Sequence, residues 1–204
     1  MNYRNFVSKI KNLPAFNLND VRKVDPAFHR QQLNYWLDKG YIKHLVGGYY
    51  ALPERKVSEP YLFMLANRLY APSYTSLESA LAYHQVIPET VLGVTSISTL
   101  KTNRFTSDWG VFSYRSVQPR LMFGYQLVNA NDDIKFNMAG IEKAVLDYLY
   151  LNAHICTTAD FYGLRWNREQ LQKIDPSIFS RYLGLFNKRA LSDRVEKLKA
   201  YLNA

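Results

Sequence analysis

Two amide side chains three residues apart, Gln31 and Asn34, are the groups in this chain best suited to reading another molecule. On a helix such a spacing puts both on one face. A carboxamide carries a donor and an acceptor side by side, the pairing that the N6/N7 edge of adenine offers in a DNA major groove. His29, Arg30 and Gln32 are spaced to flank these readers or to touch phosphate, Tyr35 shares their polar face, and Lys39 adds a cation at its far end. Further on, Lys43 and His44 precede Gly47-Gly48, whose bare backbone suits a close approach to a sugar-phosphate chain and is equally ordinary turn chemistry.

The elements that must hold these residues are legible around them. Asp25 is a helix cap, Pro26 fits a first helical position, and Gly40 supplies a left-handed stop, which predicts a helix over 26–39. Leu33, Trp36 and Leu37 form its apolar face, opposite Gln31, Asn34, Tyr35 and Asp38. Tyr41–Leu45 and Tyr49–Leu52 are two short strands around the Gly-Gly turn. Upstream, Phe6 and Ile10 mark a first helix that Pro14 stops, and Asn17 with Asp20 caps a second that buries Leu18, Val21 and Val24. Three helices and a hairpin within residues 1–56 predict a winged helix-turn-helix unit. The charged stretch Pro53–Ser58 is its expected linker.

Residues 57–204 predict a second, larger unit. Helical spacing of Leu62, Leu65, Ala66 and Leu69 is ended by Pro72, and Thr75 with Glu78 is a capping box for a helix carrying Leu77, Ala80, Leu81 and His84. Gly93–Leu100, Trp109–Val117, Met122–Val128 and Ile134–Met138 are strand-like in composition and fit an antiparallel sheet. A helix over Ile141–Leu149 follows, and residues 158–204 are a helical tail. The fold class is therefore α+β: a winged helix followed by an α+β domain with an antiparallel sheet and C-terminal helices.

Other chemistry is thinly represented. Cys156 is the single cysteine, so no internal disulfide or thiolate zinc site is available, and its thiol is expected to be buried and inert. His29, His44, His84 and His154 lack metal-ligand spacing, and His84 is expected to be a partly buried, hydrogen-bonded histidine. Asp108, Glu142, Lys143 and Asp147 can be arranged on paper as a metal-dependent nuclease set, but adjacent Glu142 and Lys143 fit better as solvated charges on a helix surface. With no phosphate loop or nucleophile triad, no catalytic residue, metal or cofactor is expected. No apolar run reaches 18 residues and no leader is recognisable, which points to a cytoplasmic protein. The net charge of +9 is uneven: ten Lys/Arg against five Asp/Glu in residues 1–60, seven against eight in 61–164, nine against four in 165–204. Basic ends suit phosphate, and a near-neutral centre suits a protein partner.

Three segments of the second unit carry a resemblance. Pro72–Leu81 (PSYTSLESAL), Ile87-Pro88-Glu89 with Val94-Thr95-Ser96 after it, and Ala139–Leu151 (AGIEKAVLDYLYL) resemble in order the AbiEi family, antitoxins of type IV toxin–antitoxin and abortive-infection systems in bacteria. With the hairpin the resemblance spans about residues 15–150. It implies a winged-helix DNA-binding unit joined to an antitoxin domain, a repressor of its own operon acting through operator DNA, and opposition to a nucleotidyltransferase-like toxin. The residues themselves leave two alternatives open: a protein-interaction module whose winged helix does not touch DNA, and the nuclease built on Glu142 and Lys143.

Overall fold

The computed structural model describes residues 1–54, 57–88, 91–131 and 133–203. It is an α+β fold, and the described residues form two hydrophobic clusters. The linker expected at Pro53–Ser58 includes residues 55 and 56, and the segment Ile87-Pro88-Glu89 includes residue 89; these three lie outside the described residues.

The smaller cluster gathers three helices and a hairpin. α1 (Tyr3–Ile10) is capped by Asn2, which accepts from the Asn5 amide, and buries Phe6 and Ile10. α2 (Leu18–Val24) has the full capping box: Asn17 accepts from the Asn19 and Asp20 amides while the Asp20 carboxylate accepts from the Asn17 amide. α3 (Arg30–Asp38) begins four residues later than the expected Pro26 start. Asp25 instead ends α2, a turn closed by the Phe28 amide on the Asp25 carbonyl follows, and His29 takes the cap position without a side-chain bond. Burial decides this: the turn drops Phe28 among Phe6 and Trp36, ring centroids 6.4 and 5.4 Å away, which a helix running from Pro26 would not do. Gly40 stops α3 at φ +70°. β1 (Lys43–His44) and β2 (Tyr50–Ala51) then pair antiparallel, and Phe16 bonds to Tyr50 through both backbone groups.

The larger cluster is organised by a six-stranded sheet. In chain order come α4 (Glu59–Leu69), β3 (Ser73–Thr75), α5 (Leu77–Tyr83), β4 (Val94–Ser98), β5 (Asn103–Ser107), β6 (Gly110–Ser116), β7 (Tyr125–Asn131), β8 (Ile134–Ala139) and α6 (Ile141–Leu151). α7 (Thr158–Leu164), α8 (Arg168–Leu171), α9 (Pro176–Phe186) and α10 (Arg189–Leu202) close the tail. The sheet order is β5-β6-β4-β3-β8-β7. It is mixed, which corrects the expected antiparallel sheet: β6 enters between β5 and β4 and so runs parallel to β4, and β3 lies parallel to β8. Thr75 is correspondingly not a cap. Ser73, Tyr74 and Thr75 are a buried central strand, and Ser76 caps α5 without a side-chain bond. α4 covers one sheet face, with Tyr114 donating to the Ala66 carbonyl and Phe63 meeting Phe136, and α6 covers the other over Tyr74.

The two clusters touch. Ala15, Leu45, Val46 and Ala51, from residues 1–54, are buried in the larger core. Tyr61 of α4 donates to the Pro14 carbonyl, and Arg68 of the same helix pairs with Asp20 at 2.5 Å.

Candidate nucleic-acid interface

α3 divides cleanly between core and surface. Leu33 and Trp36 are buried and Leu37 half-buried, whereas Arg30, Gln31, Asn34, Tyr35 and Asp38 are exposed. The 3.6-residue repeat that fits Leu33, Trp36 and Leu37 to the core leaves Gln31 and Asn34 side by side outside. Among the described residues neither makes a side-chain hydrogen bond, so each carboxamide keeps its full donor and acceptor capacity. The side chains of Arg30 and Lys43 likewise make no hydrogen bond or ion pair among the described residues. Tyr35 is 54% exposed, with the Lys39 ammonium 5.9 Å from its ring centroid.

Gln32 has a different task from the one its spacing suggests. Half-buried, it donates 2.7 Å to the Met1 carbonyl, and the Met1 ammonium pairs with Asp25 at 3.4 Å, so this side chain ties the N-terminus down. His29 is exposed at the helix cap. His44 packs edge-on to Tyr50 at 5.5 Å while remaining exposed on β1 beside Lys43.

The hairpin brings a second element to the same surface. Gly47 and Gly48 have φ of +53° and +81°, the left-handed pair that a tight hairpin turn requires, and an added Cβ at either would meet nothing within 4 Å. Backbone conformation, not crowding, selects glycine here, and the turn is exposed. Leu45 and Val46 sink into the larger core and Tyr50 into the smaller, so the hairpin is held from both sides. Between the hairpin turn and α3 lies a cleft of about 290 Å³ lined by Asn17, Leu18, Asn19, Arg30, Leu33, Gly47, Gly48 and Tyr50. Arg30 and the two glycines share its lining, a combination of guanidinium and bare backbone suited to an anionic oxygen.

Electrostatics favour the same partner. Residues 1–54 hold eight Lys/Arg and four Asp/Glu. Two of those acids are internally satisfied, Asp20 by Arg68 and the α2 cap, Asp25 by the N-terminal ammonium.

The largest departure from the sequence reading is at Glu142-Lys143. Glu142 accepts from the Asp175 amide at the start of α9, but Lys143 is 0% exposed and so is Asp147 one turn on. Their side chains are paired; Tyr74 and Ser76 donate to the other Asp147 oxygen at 2.9 and 2.8 Å, and Phe123 and Phe186 place their ring centroids 4.6 Å from the ammonium. Burial lowers the Lys143 pKa and raises that of Asp147, each against the pull of the other's charge, and it raises Tyr74 well above its ordinary value. α6 is packed between the sheet and α5 on one side and the tail helices on the other, so Lys143 and Asp147 cannot reach water. The signal was present: between Ile141 and Leu151 the only charged residues are Glu142, Lys143 and Asp147, and a helix apolar nearly all round is buried. Asp108 lies in the β5–β6 turn and is not part of this cluster. Cys156, expected to be buried, is exposed because its neighbour Ile155 fills the core position. His84 is half-buried and bonded through Nε2 to the Ala139 carbonyl at 2.8 Å, as expected.

No group of three or more His, Cys, Asp or Glu among the described residues is placed to hold a metal ion, and no helix among them is long and apolar enough to cross a membrane. Comparison of the chain with models of known protein families and with curated proteins finds no match.

Proposed function

We propose that the chain is a DNA-binding transcriptional regulator whose N-terminal unit is a winged helix-turn-helix, and that it serves as the antitoxin of a type IV toxin–antitoxin system by repressing its own operon. One observation carries the DNA reading: α3 buries Leu33 and Trp36 while presenting uncommitted Gln31 and Asn34, beside a cleft whose lining includes Arg30 and the Gly47-Gly48 turn. Gln31 and Asn34 read adenine edges, Arg30, Lys39, Lys43 and His44 meet phosphate, and the glycine turn lies against the sugar-phosphate chain. The reading includes no catalytic step and no cofactor.

Support for the antitoxin half comes from the resembling segments. Pro72–Leu81 supplies Tyr74 and Ser76, Ala139–Leu151 supplies Lys143 and Asp147, and the two are joined through the Asp147 carboxylate. The partners of this reading are double-stranded operator DNA and a nucleotidyltransferase-like toxin or its pathway.

Gel-shift titration of the full chain on the DNA upstream of its own gene tests it. Neutralising about six phosphates predicts an affinity loss of about a thousandfold between 50 and 200 mM salt. Gln31→Ala or Asn34→Ala is expected to cost about 1–3 kcal/mol on the operator and little on unrelated DNA, whereas Lys43→Ala weakens both equally. Equal, small effects from all three would remove α3 from the interface.

A further inference from the structure

A cleft of about 550 Å³ is walled by Leu77 and Glu78 of α5, Thr95 of β4, Ser113 and Arg115 of β6 and Arg104 of β5. Strand register explains the gathering. Thr95 pairs with Ser113 and Ser113 with Arg104, so the three share one sheet face, and Arg115, two residues beyond Ser113, falls on the same face. The two arginines thus hold diagonal positions on neighbouring strands. Among the described residues the side chains of Arg104, Glu78 and Ser113 make no hydrogen bond or ion pair, and Arg115 gives one N–H to the Leu151 carbonyl at 3.4 Å. Three charges therefore line one cleft without closing on one another. The turn that brings Glu78 there is held at a cost: Leu77 has φ +55°, a conformation bulky side chains rarely adopt. Four hydrogen bonds fix it. The Ser76 amide donates to the Thr95 carbonyl and the Thr95 hydroxyl to the Ser76 carbonyl, while the Ser79 amide donates to the Thr95 hydroxyl and the Thr95 amide to the Ser79 hydroxyl, all at 2.8 to 3.1 Å. Backbone strain over-determined in this way is concentrated at binding sites.

We infer that this cleft binds a sugar phosphate: Arg104 and Arg115 take the phosphate dianion with the Ser113 hydroxyl, and Glu78 accepts from hydroxyls of the sugar. Two guanidiniums match a dianion in charge and in paired donors better than they match the single charge of a carboxylate. A carboxylate such as Glu78 is an acceptor only, and a neutral hydroxyl satisfies it without adding a second anion beside the first. A nucleotide fits less well. The one aromatic residue in the lining, Tyr114, is 0% exposed and spends its hydroxyl on the Ala66 carbonyl, so no ring face is open for a base to stack on. This site lies in the second unit and is independent of the DNA reading.

Calorimetric titration of the full chain with ribose 5-phosphate, inorganic phosphate and adenosine monophosphate is the test. Ribose 5-phosphate should saturate one site with a Kd below about 1 mM and bind more tightly than inorganic phosphate. Arg104→Gln and Arg115→Gln should each weaken both ligands about tenfold, with the thermal transition unchanged because both side chains are exposed. Glu78→Gln should bind inorganic phosphate at least as well as the unmodified chain does, and lose most of the advantage of ribose 5-phosphate over it. Arg30→Ala, in the cleft beside α3, should leave both affinities unchanged. No saturable binding of ribose 5-phosphate, affinity insensitive to both arginine substitutions, an equal loss for the two ligands in Glu78→Gln, weakening by Arg30→Ala, or tighter binding of adenosine monophosphate than of ribose 5-phosphate would each overturn the inference.

Discussion

Lys143 is where a single side chain has most at stake. Its ammonium, on a residue 0% exposed, has one carboxylate and the faces of Phe123 and Phe186 for company. Removing one partner of a sealed pair strands the other, so Lys143→Met should cost about 3–5 kcal/mol in urea unfolding. The variant's pH dependence follows from Asp147. Its folded pKa is already raised by burial, and loss of the lysine raises it further, so the native state holds a proton that the unfolded chain releases. The contribution of Asp147 to the stability of Lys143→Met is therefore complete below the ordinary carboxylate pKa and is lost as pH rises through the raised value. Lys143→Met/Asp147→Asn should recover part of the loss, because the amide oxygen still accepts from Tyr74 and Ser76. A pH-independent loss for the single variant would mean that Asp147 reaches solvent.

Among the elements, α7 offers a direct titration. Its capping box joins Thr157, which accepts from the Asp160 amide, to Asp160, whose carboxylate accepts from the Cys156 and Thr157 amides at 2.9 and 2.7 Å. Those backbone bonds lower the Asp160 pKa. A depressed carboxylate contributes stability that is complete above its unfolded pKa and is lost as pH falls through the folded value. The α7 amides should therefore exchange faster at acid pH than neighbouring helices do, and Asp160→Asn should remove that difference. Elements of this kind, fixed by local chemistry, are the ones legible in the sequence: the Asn17/Asp20 box, the Gly40 stop, the Gly47-Gly48 turn and the polar face of α3. What the sequence conceals depends on distant partners. Thr75 has cap chemistry but lies between β4 and β8 in the sheet centre. Pro26 has helix-start chemistry but yields to the burial of Phe28. The edge strand β5 shows little apolar alternation, and Lys143 is visible as buried only when the whole of α6 is seen to be enclosed.

At the scale of the whole molecule the two units share a boundary that is polar at two points, Arg68 on Asp20 and Tyr61 on the Pro14 carbonyl, and apolar around them. Ala15, Leu45, Val46 and Ala51 lose their cover if the units are separated, and Asp20 loses Arg68. Arg68→Ala should lower stability by about 1–3 kcal/mol and, in calorimetry, let the N-terminal unit melt ahead of the rest. Coincident melting of both units in that variant would show that the apolar contact and the Tyr61–Pro14 bond suffice to couple them. The two oxygens of Asp20 have a consequence for regulation. One closes the cap of α2, in the unit that presents α3; the other holds α4, in the unit that covers the sheet. Under the proposed function, a ligand that draws Arg68 away would release part of the scaffold behind α3, and thermodynamic reciprocity would then require that DNA held by α3 change the same ligand's affinity by the same factor. Under that proposal, occupancy of operator DNA and occupancy of the second unit would be two expressions of one equilibrium, with a single carboxylate as its fulcrum.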